Sequence, residues 1–207
     1  MKWKLLLAAI LAVTGFISYK LLASDKSLLD ICFPAVVEKT EITLLDAYFI
    51  AMEKAKEFDP HPELLFMNSV NDGEVSGRNG KRGNWQGVLA LVNTNQRLLF
   101  AIEKGKLIDY EILDGTEEPT IKPSSIKIDS SLIVKSAIKE FRLKPGPKSD
   151  SFSNGFHFRL IRDAENIFIS VDGLIDGKQA EIYYNPETGE YMGRVQSNFK
   201  KAEIHKT

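Results

Sequence analysis

Residues 85–112 read WQGVLALVNTNQRLLFAIEKGKLIDYEI, and this stretch decides the architecture. It holds three short apolar runs: Trp85 to Val92, Arg97 to Glu103 and Leu107 to Ile112. The first alternates around Val88, Ala90 and Val92. Asn93-Thr94-Asn95 separates it from the second. Lys104-Gly105-Lys106 joins the second to the third and is a tight hairpin signal. Connections this short join antiparallel neighbours. The reading is therefore three strands of an antiparallel meander.

Working outward, Glu63 to Val70 is a further apolar run of strand length. A helix precedes it. Thr43-Leu44-Leu45-Asp46 forms a capping box, or Thr40 caps one turn earlier. Leu45, Phe49, Met52, Ala55 and Phe58 recur at helical spacing, with Tyr48 and Ala51 beside them, while Lys54, Lys56 and Glu57 face solvent. Asp59-Pro60-His61-Pro62 stops the helix, because proline cannot continue it. Downstream, residues 113–129 carry Pro119, Pro123 and turn residues and read as a linker. The pattern then repeats. Asp129-Ser130-Ser131 caps a second helix with Leu132, Val134, Ala137, Ile138 and Phe141 on its apolar side. Lys144 to Pro147 ends it. Strands follow at Phe156 to Ile161, Ile167 to Val171, Ala180 to Tyr184 and Tyr191 to Val195. Each half is one helix followed by three or four antiparallel strands, with little residue identity between halves.

The expected fold class is therefore α+β, with two tandem modules, each one helix packed on a three- to four-stranded antiparallel sheet. The divisions are 1–24 signal or membrane-anchor segment, 25–40 stalk, 41–112 first module, 113–129 linker, 130–197 second module and 198–207 polar tail.

The carboxyl-terminal half closes on Tyr183-Tyr184-Asn185-Pro186-Glu187-Thr188-Gly189-Glu190-Tyr191. A helix followed by strands ending in a Thr-Gly turn resembles PepSY-type, cystatin-like domains, with Asn185 where Asp is common. The first half resembles them in layout only, since Asn93-Thr94-Asn95-Gln96 lacks the Thr-Gly step. Such modules occur in propeptides of secreted metallopeptidases and in membrane-anchored bacterial envelope proteins. The resemblance implies a cystatin/PepSY-like fold in both modules and a binding or inhibitory role, not catalysis.

The chain opens with Lys2 and Lys4 around Trp3, followed by the uncharged run Leu5 to Ile17. A basic start and an apolar core are features of an export signal. The large Leu21 and Leu22 make a poor cleavage site. The run from Leu5 to Ala23 nearly reaches the length of a membrane span, with Tyr19 and Lys20 suited to the interface. A single-pass anchor with an extracytoplasmic carboxyl-terminal part, a cleaved secretion signal and a buried soluble helix all remain open. Asp30 and Ile31 do not suit a lipidated Cys32.

Among 207 residues, 43% are hydrophobic, enough for a packed core. A net charge of −1 argues against a nucleic-acid partner, which needs a basic footprint. One cysteine permits no internal disulfide. His61, His157 and His205 lack metal-ligand spacing, so no metal and no cofactor is expected. Gly-x-Ser-x-Gly is absent. Gly77-Arg-Asn-Gly80-Lys-Arg-Gly83 is glycine-rich but is not set between strand and helix, as a phosphate loop must be. Asp163 and Glu165 lie in a turn, where solvation accounts for them.

The polar segment 71–84 clusters Arg78, Lys81 and Arg82 ahead of Trp85. These four are the candidate partner-binding residues, on the premise that loops carry function when a rigid scaffold presents them. The expected function is non-catalytic: protein or peptide binding in the bacterial cell envelope by a membrane-tethered protein, with modulation of a peptidase as one form of it. The alternative is a small-ligand or cell-wall polymer binding protein using a cleft between the modules.

Overall fold

The computed structural model describes residues 40–73, 77–115, 119–149 and 154–197. The signal or anchor segment with Trp3, the stalk with Cys32 and the tail with His205 lie outside the described residues.

The elements are α1 (Leu44–Ala55), β1 (Glu63–Val70), β2 (Asn84–Leu91), β3 (Gln96–Glu103), β4 (Lys106–Asp114), α2 (Ser130–Phe141), β5 (His157–Arg162), β6 (Ile167–Ile175), β7 (Lys178–Tyr184) and β8 (Tyr191–Gln196). Each strand lies where its apolar run and flanking turns place it. Their assembly does not follow the expectation. All eight strands form one antiparallel sheet, in the order β4-β3-β2-β1-β5-β6-β7-β8. Two tandem helix-on-sheet modules are therefore incorrect. Each half is a helix and a four-strand meander, but the leading strands β1 and β5 pair antiparallel, with Met67 opposite Leu160 and Asn68 opposite Arg159. The physical reason is edge satisfaction. A separate four-stranded sheet would leave β1 and β5 as apolar edges with unpaired backbone groups. Joining them removes both edges and makes one core continuous across the seam.

That core lies on one face. Leu64, Met67, Leu89, Leu98, Phe100, Phe158, Leu160, Ile169, Val171 and Ile182 pack in one cluster with both helices. Helix α1 begins with the expected capping box, Thr43 accepting from Asp46 N and Asp46 accepting from Thr43 N. Its buried stripe is Leu44, Ala47, Tyr48, Ala51, Met52 and Ala55. Tyr48, Ala51, Met52 and Ala55 of the expected apolar side are buried, whereas Phe49 is 58% exposed and Leu44 and Ala47 complete the stripe instead. Three alanines on that stripe let the helix lie close to the sheet.

The two helix amino termini meet at the seam. Asp129 Oδ1 accepts from Leu45 N at 3.2 Å and from Ser130 N at 2.8 Å. Ser130 Oγ accepts from Leu44 N and donates to Gly80 O at 2.6 Å. Orphan N–H groups of both helices thus find acceptors in one place, where a carboxylate also suits both dipoles. The Gly80 region packs against this junction. A Cβ on Gly80, whose φ is +82°, would stand 2.3 Å from Ser131 Cα.

Within 113–129, Ile121 N and O bond to Leu64, and Ile121 and Ile126 are buried in the common core. The Asn185–Tyr191 turn has the expected geometry: Gly189 has φ +77°, its N–H donates to Asn185 O, and Asn185 Oδ1 accepts from Glu187 N and Thr188 N.

Candidate functional site

Because both helices lie on one side, neither covers the other face of the sheet, where Leu65, Val88 and Ala90 are buried in a small cluster of their own with Leu99 packed against it. Strand pleating dictates its composition. Successive side chains alternate faces, so the neighbours of core residues point to the open side. Pairing then lines them up in rows. One row runs Gln86, Asn68, Arg159, Ser170, Tyr183 across β2, β1, β5, β6 and β7. The next runs His157, Asp172, Glu181, Val195 across β5 to β8. On the other flank Phe66, Val88 and Leu99 align across β1, β2 and β3. The open face is amphipathic: an apolar row, a polar row and an acidic row lie side by side.

At the seam, Asn68, Ser69, Val70, Asn71, Gln86, His157, Arg159 and Asp172 line a cleft of about 470 Å3. A smaller hollow of about 170 Å3 continues beyond Arg159 and Asp172, bounded by Gln179, Glu181, Val195 and Ser197. Arg159 bridges two carboxylates, reaching Asp172 Oδ2 at 3.3 Å and Glu181 Oε2 at 3.8 Å. Its side chain is 48% exposed, those of Asp172 and Glu181 15% and 16%. Ser170 Oγ donates to Glu181 Oε1 at 2.7 Å. Burial, then the Glu181 charge, pushes the Asp172 carboxyl up to about 7, and Arg159 only partly opposes this. Burial and the bond to Glu181 push Tyr183 up to about 12.

His157 is 7% exposed. Its Nδ1 lies 3.1 Å from Ser69 Oγ, which accepts from Phe158 N at 3.0 Å. Its Nε2 is buried and has no hydrogen-bond partner among the described residues. Burial and the Arg82 charge hold the imidazole below its ordinary value. The serine beside it is buried and fixed by the backbone, so this contact braces the seam and presents no accessible nucleophile. No group of three or more His, Cys, Asp or Glu among the described residues is arranged to hold a metal.

A second concavity, about 610 Å3, lies on the helix side between α1, the Pro60–Pro62 turn and Pro123, with Tyr48, Phe49 and Met52 in its wall. Two edges are also available: β4, which exposes Ile108 and Tyr110, and β8, which exposes Val195.

The four residues nominated from sequence do not form one surface. Arg82 is fully buried, paired with Asp72 at 3.3 Å, and donates to Asn154 O and Val70 O. The Trp85 indole is 1% exposed, donates to Arg82 O and stacks on Phe158. Both fasten the stretch around Arg82 to the seam. Arg78 is exposed and Lys81 half-buried. The residues lining the open face were not nominated. Their signal was present as polar residues at alternate positions of apolar strands: Ser170 and Asp172 in IFISVDGLI, and Glu181 in KQAEIYY.

No family model matches the chain, and no curated protein matches it. It is similar to a crystal structure from Clostridium difficile described as a "putative lipoprotein", at 12% identity and a TM-score of 0.50, over 72% of this chain and 92% of that one. At that identity the likeness is one of fold.

Proposed function

We propose that this chain is a non-catalytic, extracytoplasmic binding protein of the bacterial cell envelope that takes a protein or peptide on its uncovered sheet face. One observation carries the reading: a broad amphipathic face, with Phe66 40% exposed beside the Arg159 cluster, is left open while both helices serve the opposite core. Exposed sheet edges accept extended chains by strand addition, and the free edges β4 and β8 bound this face. The location rests on the basic-then-apolar opening of the chain, and the naming of the fold neighbour as a lipoprotein agrees with an envelope setting. The PepSY resemblance of the Asn185–Tyr191 hairpin would make a peptidase the first partner to try.

A second reading, a small ligand or cell-wall fragment in the seam cleft, is favoured by the convergence of Arg159, Asp172 and His157 there.

Cross-linked capture from envelope membranes, using the full chain as bait, tests the first reading. Capture should be lost with Phe66→Glu on the open face and kept with Phe49→Glu on the helix side. Loss with Phe49→Glu and not with Phe66→Glu would refute the reading and move the contact to the helix-side groove. Recovery of the protein from the cytoplasm, protected from external protease, would refute the location.

A further inference from the structure

The polar rows of the open face are unbalanced in charge. Asp172 and Glu181 stand directly opposite each other on β6 and β7. Like charges facing across strands destabilise a sheet unless something compensates them. Ser170 and Tyr183 bond to Glu181, and Arg159 alone among the described residues pairs with both carboxylates. When both carboxyls are ionised, one guanidinium set between them leaves one negative charge over. Asp109 and Glu111 on β4 lie in line with the rows of the same face and add two more, against Arg97 on β3.

One further observation points to a ligand. The clefts on either side of the Arg159–Asp172 pair meet at that pair, so a chain lying across the strands would pass over it.

We propose that the open face recognises a cationic extended segment of a partner protein, with a lysine ammonium or arginine guanidinium seated against Asp172 and Glu181. Apolar residues of that segment would cover Phe66, which is 40% exposed. A polyanionic partner is disfavoured, since it would set like charge against the acidic row. The groups facing Asp172 are Glu181 and Tyr183 from β7 and His157 and Arg159 from β5. Seating a cation requires the carboxylate to be ionised, so affinity rises with pH. This inference rests on the binding role proposed above.

The probe is a six-residue peptide alternating Thr and Lys, acetylated and amidated, titrated into the full chain in non-ionic detergent. A Thr/Glu peptide is the control. The Lys peptide should bind and the Glu peptide should not. Asp172→Asn and Glu181→Gln should each weaken binding by about tenfold, and affinity should rise from about pH 5.5 to about pH 8. Because each substitution removes a like-charge contact, both proteins should remain folded, and either one suffices for the test. Equal binding of the two peptides, no binding of the Lys peptide, or binding unchanged in the substituted proteins overturns the proposal. So does tighter peptide binding after Lys200→Ser with Lys201→Ser, which would make the chain's own tail the occupant. If the peptide fails while envelope capture stays sensitive to Phe66→Glu, only the cationic chemistry falls. If both fail, the binding role falls with it.

Discussion

Asp172→Asn should stabilise the protein at alkaline pH, against the usual expectation for loss of an ion pair. Burial beside Glu181 raises the Asp172 carboxyl from its ordinary 3.8 to about 7. The folded state therefore holds this proton over a window in which the unfolded chain releases it. Stability falls as pH rises wherever the folded state binds more protons. The contribution is at its most favourable below about pH 4 and has been lost by about pH 7. At about 1.4 kcal/mol per pH unit, the difference between 3.8 and about 7 is worth about 4 kcal/mol. His157 works in the other direction. Its imidazole is held below the ordinary value, so its contribution is lost as pH falls. The raw profile of the wild type mixes the two, and the difference between wild type and Asp172→Asn isolates the carboxylate. Urea unfolding of both proteins, at several pH values from about 4 to about 8, gives that difference. The two should converge at the acid end, and the variant should be more stable by up to about 4 kcal/mol at the alkaline end. A variant less stable than wild type at pH 8, or a difference that does not change with pH, would show that the Arg159 pair outweighs burial and Glu181. The charge argument for the open face would then fail.

Three further outcomes follow from the packing. Gly80→Ala forces a Cβ into the backbone of α2 at a φ of +82° and should cost about 3 kcal/mol or more in urea unfolding, from left-handed strain plus overpacking; a loss under 1 kcal/mol would mean that the Gly80 turn is not seated on the helix junction. Arg82→Ala removes the cation paired with the buried Asp72 and should lower stability by about 3–5 kcal/mol, so a near-neutral result would return Arg82 to the surface role read from sequence. Gly189→Val places a β-branched residue at φ +77° and should destabilise by about 1–2 kcal/mol or more, whereas Glu187→Ala loses only a half-exposed pair with Lys127 and should lie within about 1 kcal/mol of wild type; equal effects would contradict the turn.

Local structure was legible because its causes are local. Thr43 and Asp46 lie three residues apart, so the capping box of α1 shows in the sequence. Lys104-Gly105-Lys106 and the Thr188-Gly189 step announce their reversals for the same reason. The phase of α1 was legible in part. Tyr48, Ala51, Met52 and Ala55 lie on the buried stripe as read, but Phe49 outweighs Ala47 by size, and the sheet lies close enough to select the alanine. The pairing of β1 with β5 was hidden for a different cause. It joins residues about ninety positions apart, and nothing near Met67 or Leu160 marks one strand as the partner of the other. A repeated helix-then-meander pattern is equally the signature of two separate sheets and of one fused sheet. Only the need to satisfy two apolar edges decides between them.

The candidate site was misplaced by the same distinction between local and distant causes. Arg78, Lys81 and Arg82 drew attention because charge clustered in a loop is visible along the chain. Yet Arg82 turns inward, where Asp72, Val70 O and Asn154 O compensate it. The residues that gather on the open face are scattered over 68, 86, 159, 172 and 181, and they meet only because the pleat sends each to one side and the register brings them into rows. Each alone is an unremarkable polar residue in an apolar strand. The informative sign is their phase: Arg159, Ser170, Asp172 and Glu181 all fall on the alternate positions that the core does not claim. A half-buried strand tolerates any polar residue there. Placing two carboxylates opposite each other with one guanidinium costs stability that an inert surface has no reason to bear. That cost, measurable as the alkaline gain of Asp172→Asn, separates a face kept for binding from one that is simply wet. If the gain is absent, the case for a cationic partner loses its energetic footing, whatever the shape of the cleft.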